Sequence, residues 1–241
     1  MKKKNIKAAC LDVEWIGHPQ CNTCAVRNSL LFSDIPDEIL NPFLISVDNY
    51  HFHPRAHLYE KGNAGSDLFS IRSGIVKLEQ SMPNGALRVV RLLHVGDVVG
   101  LEALTGEHYH HSAVALNEVD ACRIPMQVIR DLNKHSPKLH MQLMLRLQKS
   151  LDEADDFILQ LSTGGATARL ARLLLKLSAS ADHEPFLAPS REDIGAMLGV
   201  TTETASRVMA EFKRQGWLRE VHGQCVSCDC SQLARLAMDL G

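Results

Sequence analysis

The stretch Ser190–Arg219, SREDIGAMLGVTTETASRVMAEFKRQGWLR, decides how the chain is read. Its periodicity is helical, in two short pieces. Ser190 stands in an N-cap position, and Asp193 three residues on completes a capping-box-like pair. Ile194, Met197 and Leu198 give the first helix one apolar face. Gly199-Val200-Thr201 is a turn, because glycine takes the left-handed conformation that ends a helix. A second helix is predicted from about Thr202 to Gln215, with Gly216 as its stop. Ala205, Val208, Met209 and Phe212 form its apolar face. Glu203, Ser206 and Arg207 stand together on the other side and reach outward. This is the layout of a helix-turn-helix whose second helix enters the major groove. The same spacing also suits an ordinary helical hairpin, so the rest of the chain must decide.

A length of 241 residues allows one or two domains, and 45% hydrophobic residues is ample for a core. No apolar run is long enough to span a membrane. The basic start MKKKNIK is followed by no apolar run of the kind a secretory signal needs, so a soluble cytoplasmic protein is expected. The net charge is −2, and residues 163–241 carry nine Lys/Arg against nine Asp/Glu. A nucleic-acid footprint must therefore be local, and Arg207, Lys213, Arg214 and Arg219 supply one. Seven cysteines is an odd number for a disulfide framework; in a reducing compartment, clustered thiols point to metal or redox chemistry. No nucleophile–base pair or phosphate-cradling loop stands out, so an enzyme is not expected.

Cys10, His18, Cys21 and Cys24 lie in a polar, weakly patterned stretch, and CNTC forms a C-x2-C knuckle that needs further ligands to become a site. Residues 31–50 read as a short amphipathic helix built on Ile35, Ile39, Leu40 and Phe43. From 51 to 125 the pattern changes to short alternating runs between glycine turns, with Asn84-Gly85 as a hairpin signal, which suggests an antiparallel barrel or sandwich. A long helix over 137–161 carries Met144, Leu147, Leu151, Ala154, Ile158 and Leu161 at alternating three- and four-residue spacing. That two-in-seven stripe predicts a partner helix, hence a parallel homodimer; a core-facing helix is the plainer alternative. Asp152, Glu153, Asp155 and Asp156 flank the stripe as a solvated face, or as like charges set against each other across a two-fold axis. Residues 166–180 give another helix, a wing-like hairpin turns at His222-Gly223, and SQLARLAMDL closes the chain as a short helix. Cys225, Cys228 and Cys230 form an incomplete ligand set in the wing region. The histidine-rich stretches HFH at 51–53 and HYHH at 108–111 read as surface or hydrogen-bonded residues rather than ligands.

Taken together, RSGIVKL, GDVVGLEAL and DIGAMLGVTTETASR resemble the CRP/FNR family of bacterial transcription regulators, specifically its FNR-like, oxygen- and redox-sensing branch. The resemblance covers nearly the whole chain. It implies an α+β fold: a cyclic-nucleotide-binding-type β-roll (a jelly roll), a long dimerisation helix and a C-terminal winged helix-turn-helix. The expected divisions are a cysteine-containing segment at 1–30, the β-roll sensor at 31–136, the dimerisation helix at 137–162 and the DNA-binding domain at 163–241. FNR-branch members carry Glu-x-x-Ser-Arg on the recognition helix, here Glu203, Ser206 and Arg207, which implies a TTGAT-type half-site in palindromic double-stranded DNA. The chemistry agrees: arginine pairs bidentately with guanine O6/N7, and glutamate accepts from cytosine N4. The resemblance also makes the hairpin around Pro83–Leu87 a contact for RNA polymerase.

Cyclic-nucleotide sensors of the family hold the phosphate with Gly-Glu and an arginine. Here Glu102 is present, but His110-His111-Ser112 stands where the arginine belongs, so a cyclic phosphate lacks its bidentate partner. FNR-branch sensors hold a [4Fe–4S] cluster with three N-terminal cysteines and one on the roll. Cys21, Cys24 and Cys122 match, while the third N-terminal position is Leu30. Cys10, or alternatively His18, is then the remaining ligand. Four soft ligands, Cys10, Cys21, Cys24 and Cys122, suit such a cluster. The same thiols also allow a disulfide switch, and the roll could instead take haem or another small molecule, or no cofactor at all.

Overall fold

The computed structural model describes residues 12–181, 185–222 and 225–238. Cys10 lies outside them. The chain forms two compact units. The first takes the chain up to Leu78 together with Leu92–Lys149, and the second takes Glu79–Arg91 and the chain from Ser150 onward.

The first unit opens with a strand, β1 (Val13–Gly17), in a stretch whose sequence carries no strand pattern. The pattern hides it because β1 is exposed along its first four residues, so no alternation marks it. Two single turns of 3-10 helix follow, Cys21–Thr23 and Arg27–Ser29, then α1 (Asp37–Leu44). The helix expected across 31–50 is thus confined to eight residues. It starts after Pro36, which stands in the N-cap position, and it ends before β2 (Asp48–Phe52). Proline suits a helix start because its ring fixes φ and it has no N–H to satisfy. Ile35 and Leu40 are buried, while Ile39 and Phe43 pack against the core as expected.

The roll continues through β3 (His57–Tyr59), β4 (Asp67–Ser73), β5 (Val76–Ser81), β6 (Leu87–Leu93), β7 (Val98–Val99), β8 (Ser112–Ala115) and β9 (Val119–Pro125). Two sheets result, in the orders β1-β2-β9-β4-β7 and β3-β8-β5-β6. The pairings β1–β2, β2–β9 and β4–β9 are antiparallel, which puts β9 in the middle of its sheet. Leu68, Ile71, Val76, Val119, Ala121 and Ile124 fill the space between the layers. Asp67 is buried there but satisfied: Arg123 Nη2 donates to it at 2.9 Å and Ser66 Oγ at 2.6 Å. The Asn84-Gly85 turn is present, with Met82 N–H bonded to Ala86 O at 2.8 Å. α2 (Met126–His135) and α3 (Pro137–Ser162) follow, so the long helix begins at Pro137 as read.

In the second unit, α4 (Ala166–Ser180) lies beneath α5 (Arg191–Leu198) and α6 (Thr202–Arg214). A three-stranded sheet joins β10 (Phe186–Leu187), β12 (Cys225–Cys228) and β11 (Leu218–His222), in that order. α7 (Cys230–Ala237) closes on α4, started by Asp229, whose side chain accepts from Ser231 N and Gln232 N. Leu170, Leu173, Met209, Phe212 and Leu233 are fully buried. Arg172, buried beside them, donates to Gln160 O at 2.6 Å and so ties the end of α3 to α4.

Candidate functional site

Cys21 and Cys24 are placed by a run of tight turns. Cys24 N–H bonds to Cys21 O at 3.3 Å, Arg27 N–H to Cys24 O at 3.1 Å and Leu30 N–H to Arg27 O at 3.0 Å. Cys24 is extended between two separate turns, and Cys21, Cys24, Arg27 and Leu30 all line one edge of the same cavity. That edge faces β9, where Cys122 sits opposite Asn49 of β2 and Ser70 of β4. All six of Cys21, Cys24, Arg27, Leu30, Ser70 and Cys122 line one cavity, whose remaining wall is mostly apolar. Cys122 Sγ donates to Asn49 Oδ1 at 3.1 Å. Ser70 Oγ is buried with no partner among the described residues.

The electrostatics set the resting state of these thiols. Burial pushes the Cys122 thiol up to about 12, opposed by Arg72. Burial also raises Cys21, and Arg27 opposes it. Left alone, these are neutral thiols in a low-dielectric pocket; a bound cation would deprotonate them outright. Three soft sulfur donors, an apolar wall and an orphaned hydroxyl are a donor set that fits an iron–sulfur group. Their sulfurs do not crowd within 4.8 Å of one another as ligands of a single ion would; a four-iron cluster takes one cysteine per iron and spreads them wider. His18 is not among the lining residues. Its Nδ1 lies 2.9 Å from Val47 O and 3.5 Å from Asp48. Leu30, the departure from the family pattern, occupies the cavity wall itself. The sequence signal for this arrangement was C-x2-C-x2-R-x2-L, a period of three that the reading of the C-x2-C alone passed over.

The helix-turn-helix forms as its caps dictate. Ser190 Oγ accepts from Asp193 N at 3.0 Å and donates to Asp193 Oδ2 at 2.7 Å. Gly199 ends α5 at φ 65°, and an added Cβ would meet the Arg88 guanidinium. Thr201 starts α6 by accepting from Thr204 N at 3.2 Å. Ala205, Val208, Met209 and Phe212 are buried, which leaves Glu203 and Arg207 exposed and Ser206 partly so. Glu203 lies in the first turn of α6, where backbone N–H and Thr201 hold its carboxyl below the usual range.

On α3, Met144, Leu151 and Ile158 are exposed, and Leu147 and Ala154 partly so. Leu161 is wholly covered by its own chain. Met141, Leu145 and Leu159, outside the predicted stripe, are exposed and widen it. In the wing region, Cys228 and Cys230 approach to 3.6 Å between sulfurs, and Cys230 lies 3.7 Å from Ser178 Oγ. Burial pushes the Cys228 thiol up to about 11. In the roll, Tyr59 and Tyr109 stack at 3.7 Å between ring centroids, Tyr59 OH reaches Glu102 at 3.4 Å and Ser112 Oγ accepts from Lys61 N at 3.1 Å.

Residues 50–136 match the cyclic nucleotide-binding domain family, and residues 168–236 match the Crp-like helix-turn-helix domain family. The fumarate and nitrate reduction regulatory protein of Salmonella typhi is 33% identical over 187 residues, covering 75% of this chain and 74% of that one. Its namesake in Vibrio cholerae is 33% identical over 163 residues, 65% of each. Among solved structures, a CRP/FNR-family transcriptional regulator from Thermus thermophilus superposes with a TM-score of 0.66 at 26% identity, covering 80% of this chain and 100% of that one. Among the described residues no helix is long and apolar enough to cross a membrane. A β-roll, a capped helix-turn-helix with an exposed polar face and these matches make the chain a DNA-binding transcription regulator of the CRP/FNR family.

Proposed function

We propose that the chain is a homodimeric regulator governed by oxygen or redox state through a [4Fe–4S] cluster held by Cys21, Cys24, Cys122 and Cys10. The observation that carries this reading is the shared cavity of Cys21, Cys24 and Cys122, drawn from two distant stretches of chain. When bound, the cluster supplies an oxygen-labile redox centre. The protein's own residues do the rest. Cys21 and Cys24 hold the turns at 21–30 against β9 through Cys122. Arg27 and Arg72 bring positive charge to the thiolates. Arg27 also fastens the turn by donating to Asp37 and to Asn22, the latter at 3.1 Å.

The exposed stripe on α3 supports a second copy packed helix to helix. Asp155 beside it sets like charge against like across the two-fold axis, mildly because the seam position itself is Ala154, so a modest free energy from the cysteine segment can tip the packing. Two copies present two α6 helices to a palindrome, with Arg207 on guanine, Glu203 on cytosine and Ser206 on a base edge or phosphate of a TTGAT-type half-site. The hairpin tip around Pro83–Leu87 is the contact for RNA polymerase.

Anaerobic purification with iron and sulfide analysis tests the reading. A brown protein with about four irons per chain supports it. A colourless, iron-free protein that still binds its palindrome overturns it. The match of residues 50–136 to the cyclic nucleotide-binding family favours a second reading, a small molecule in the roll. Titration of iron-free protein with haem and cyclic nucleotides separates the two.

A further inference from the structure

Outside the cysteine cavity, the register of the roll assembles a second cluster. Across the antiparallel pairs, His51 of β2 stands opposite Glu14 of β1 on one side and Asp120 of β9 on the other. Residues directly opposite share a face of the sheet, and positions two apart along a strand share it too. His53 therefore joins His51, and Glu118 joins Asp120. Neither HFH nor EVD is a site alone; the pairing of β2 with β9 makes them one.

The contacts have the form of a ligand shell with its supports. Glu118 Oε2 lies 3.0 Å from His51 Nε2 and 3.0 Å from His53 Nδ1. Among the described residues this is the one group of three His, Cys, Asp or Glu residues whose ligand atoms all fall within 4.8 Å of one another. A tetrahedral zinc with bonds near 2.05 Å holds its ligand atoms about 3.3 Å apart, so the two Glu118–histidine separations need to open by only a few tenths of an ångström. Each imidazole also has a carboxylate near its other nitrogen, hydrogen-bonded at His51 and more distant at His53. Asp120 Oδ1 accepts from His51 Nδ1 at 2.7 Å, and Glu14 Oε1 is 3.6 Å from His53 Nε2. A carboxylate behind a histidine fixes the tautomer that binds metal.

We propose that His51, His53 and Glu118 bind a divalent transition-metal ion of the zinc class, with Asp120 and Glu14 orienting the imidazoles. Two imidazoles and one carboxylate leave an open fourth position for water. The site is harder than the cysteine cavity and does not depend on it. Because Glu14 belongs to β1, its approach to His53 links the strand that leads into Cys21 and Cys24 to this site.

The test is titration of the full-length, iron-free protein with Co2+, followed by visible absorbance and calorimetry. Cobalt on imidazole and carboxylate gives d–d bands without the thiolate-to-cobalt charge-transfer band that cysteine ligation adds. The expected result is one equivalent per chain with thiolate-free bands, which Zn2+ displaces, and which His53→Ala and Glu118→Ala remove. Asp120→Asn weakens the binding about 10- to 100-fold. His51→Gln and His53→Gln keep the size and polarity of the side chains, so they report on ligation if an alanine variant fails to fold. Uptake that shows only the charge-transfer band, or that is unchanged in His53→Gln, overturns the proposal.

Discussion

The helix-turn-helix and the cysteine cavity are built by opposite routes. The reader is contiguous: its caps, turn glycine and apolar face lie within Ser190–Arg219, each satisfied by a neighbour three or four residues away. The cavity draws Cys21 and Cys24 from a run of turns and Cys122 from a central strand, and its polar atoms are only partly satisfied. Local consistency makes a rigid reader. The cavity is closed by distant residues and holds an orphaned Ser70 hydroxyl. Under the proposed function, the difference gives stability to one part of the molecule and signal to the other.

The largest effect is expected at the cavity. Cys122→Ala takes iron to background and leaves DNA affinity equal with and without oxygen, while the reader stays folded; iron analysis and anaerobic DNA titration check both. Leu30→Cys sharpens the point. Leu30 shares the edge of Cys21 and Cys24, so Leu30→Cys restores about four irons per chain to a Cys10→Ser variant. Failure to restore them means that Cys10 is not the ligand that Leu30 displaced.

Next comes Phe212→Ala. Phe212 is fully buried and meets Trp217 edge-on at 5.7 Å. Its loss costs about 3–5 kcal/mol of the second unit's stability, read by urea unfolding, and leaves iron content unchanged. Loss of iron as well would break the division of labour. Arg207→Ala is milder, at about 1–3 kcal/mol of binding, or about 5- to 150-fold in Kd. Fluorescence anisotropy on a TTGAT palindrome measures it, and the loss is expected to vanish on a site lacking the paired guanine. Ser190→Ala is smallest, about 1 kcal/mol of stability for a lost N-cap, seen as a shifted unfolding midpoint with the half-site preference intact.

The same contrast explains what the sequence disclosed. Both helices of the reader were legible because capping residues and a 3.6-residue period are local signals. The roll was legible as short runs between glycines. β1 was not: with Val13, Trp15 and Ile16 all exposed, its place is set by pairing with β2 rather than by any pattern of its own. α1 is shorter than the apolar spacing implies, because that spacing runs from Ile35 to Phe43 through Pro36, where proline starts the helix. Cys122 could be matched to a family position, but its neighbours Asn49 and Ser70 could not, because strand register decides them. The His51–Asp120 row escaped for that reason too. On α3 the spacing could not tell Leu161, covered within its chain, from Leu151, which is exposed.

β1 gives the molecule an optical readout. The chain has two tryptophans. Trp217 belongs to the reader, and Trp15 sits on the edge strand with its indole N–H on Asp48 at 2.9 Å and its ring edge-on to His18 at 5.7 Å. With Trp217 replaced by phenylalanine, the remaining emission comes from Trp15 alone, just ahead of Cys21 in the chain. Its colour and quenching would then follow the surroundings of the cysteine-bearing segment in real time, with no label added.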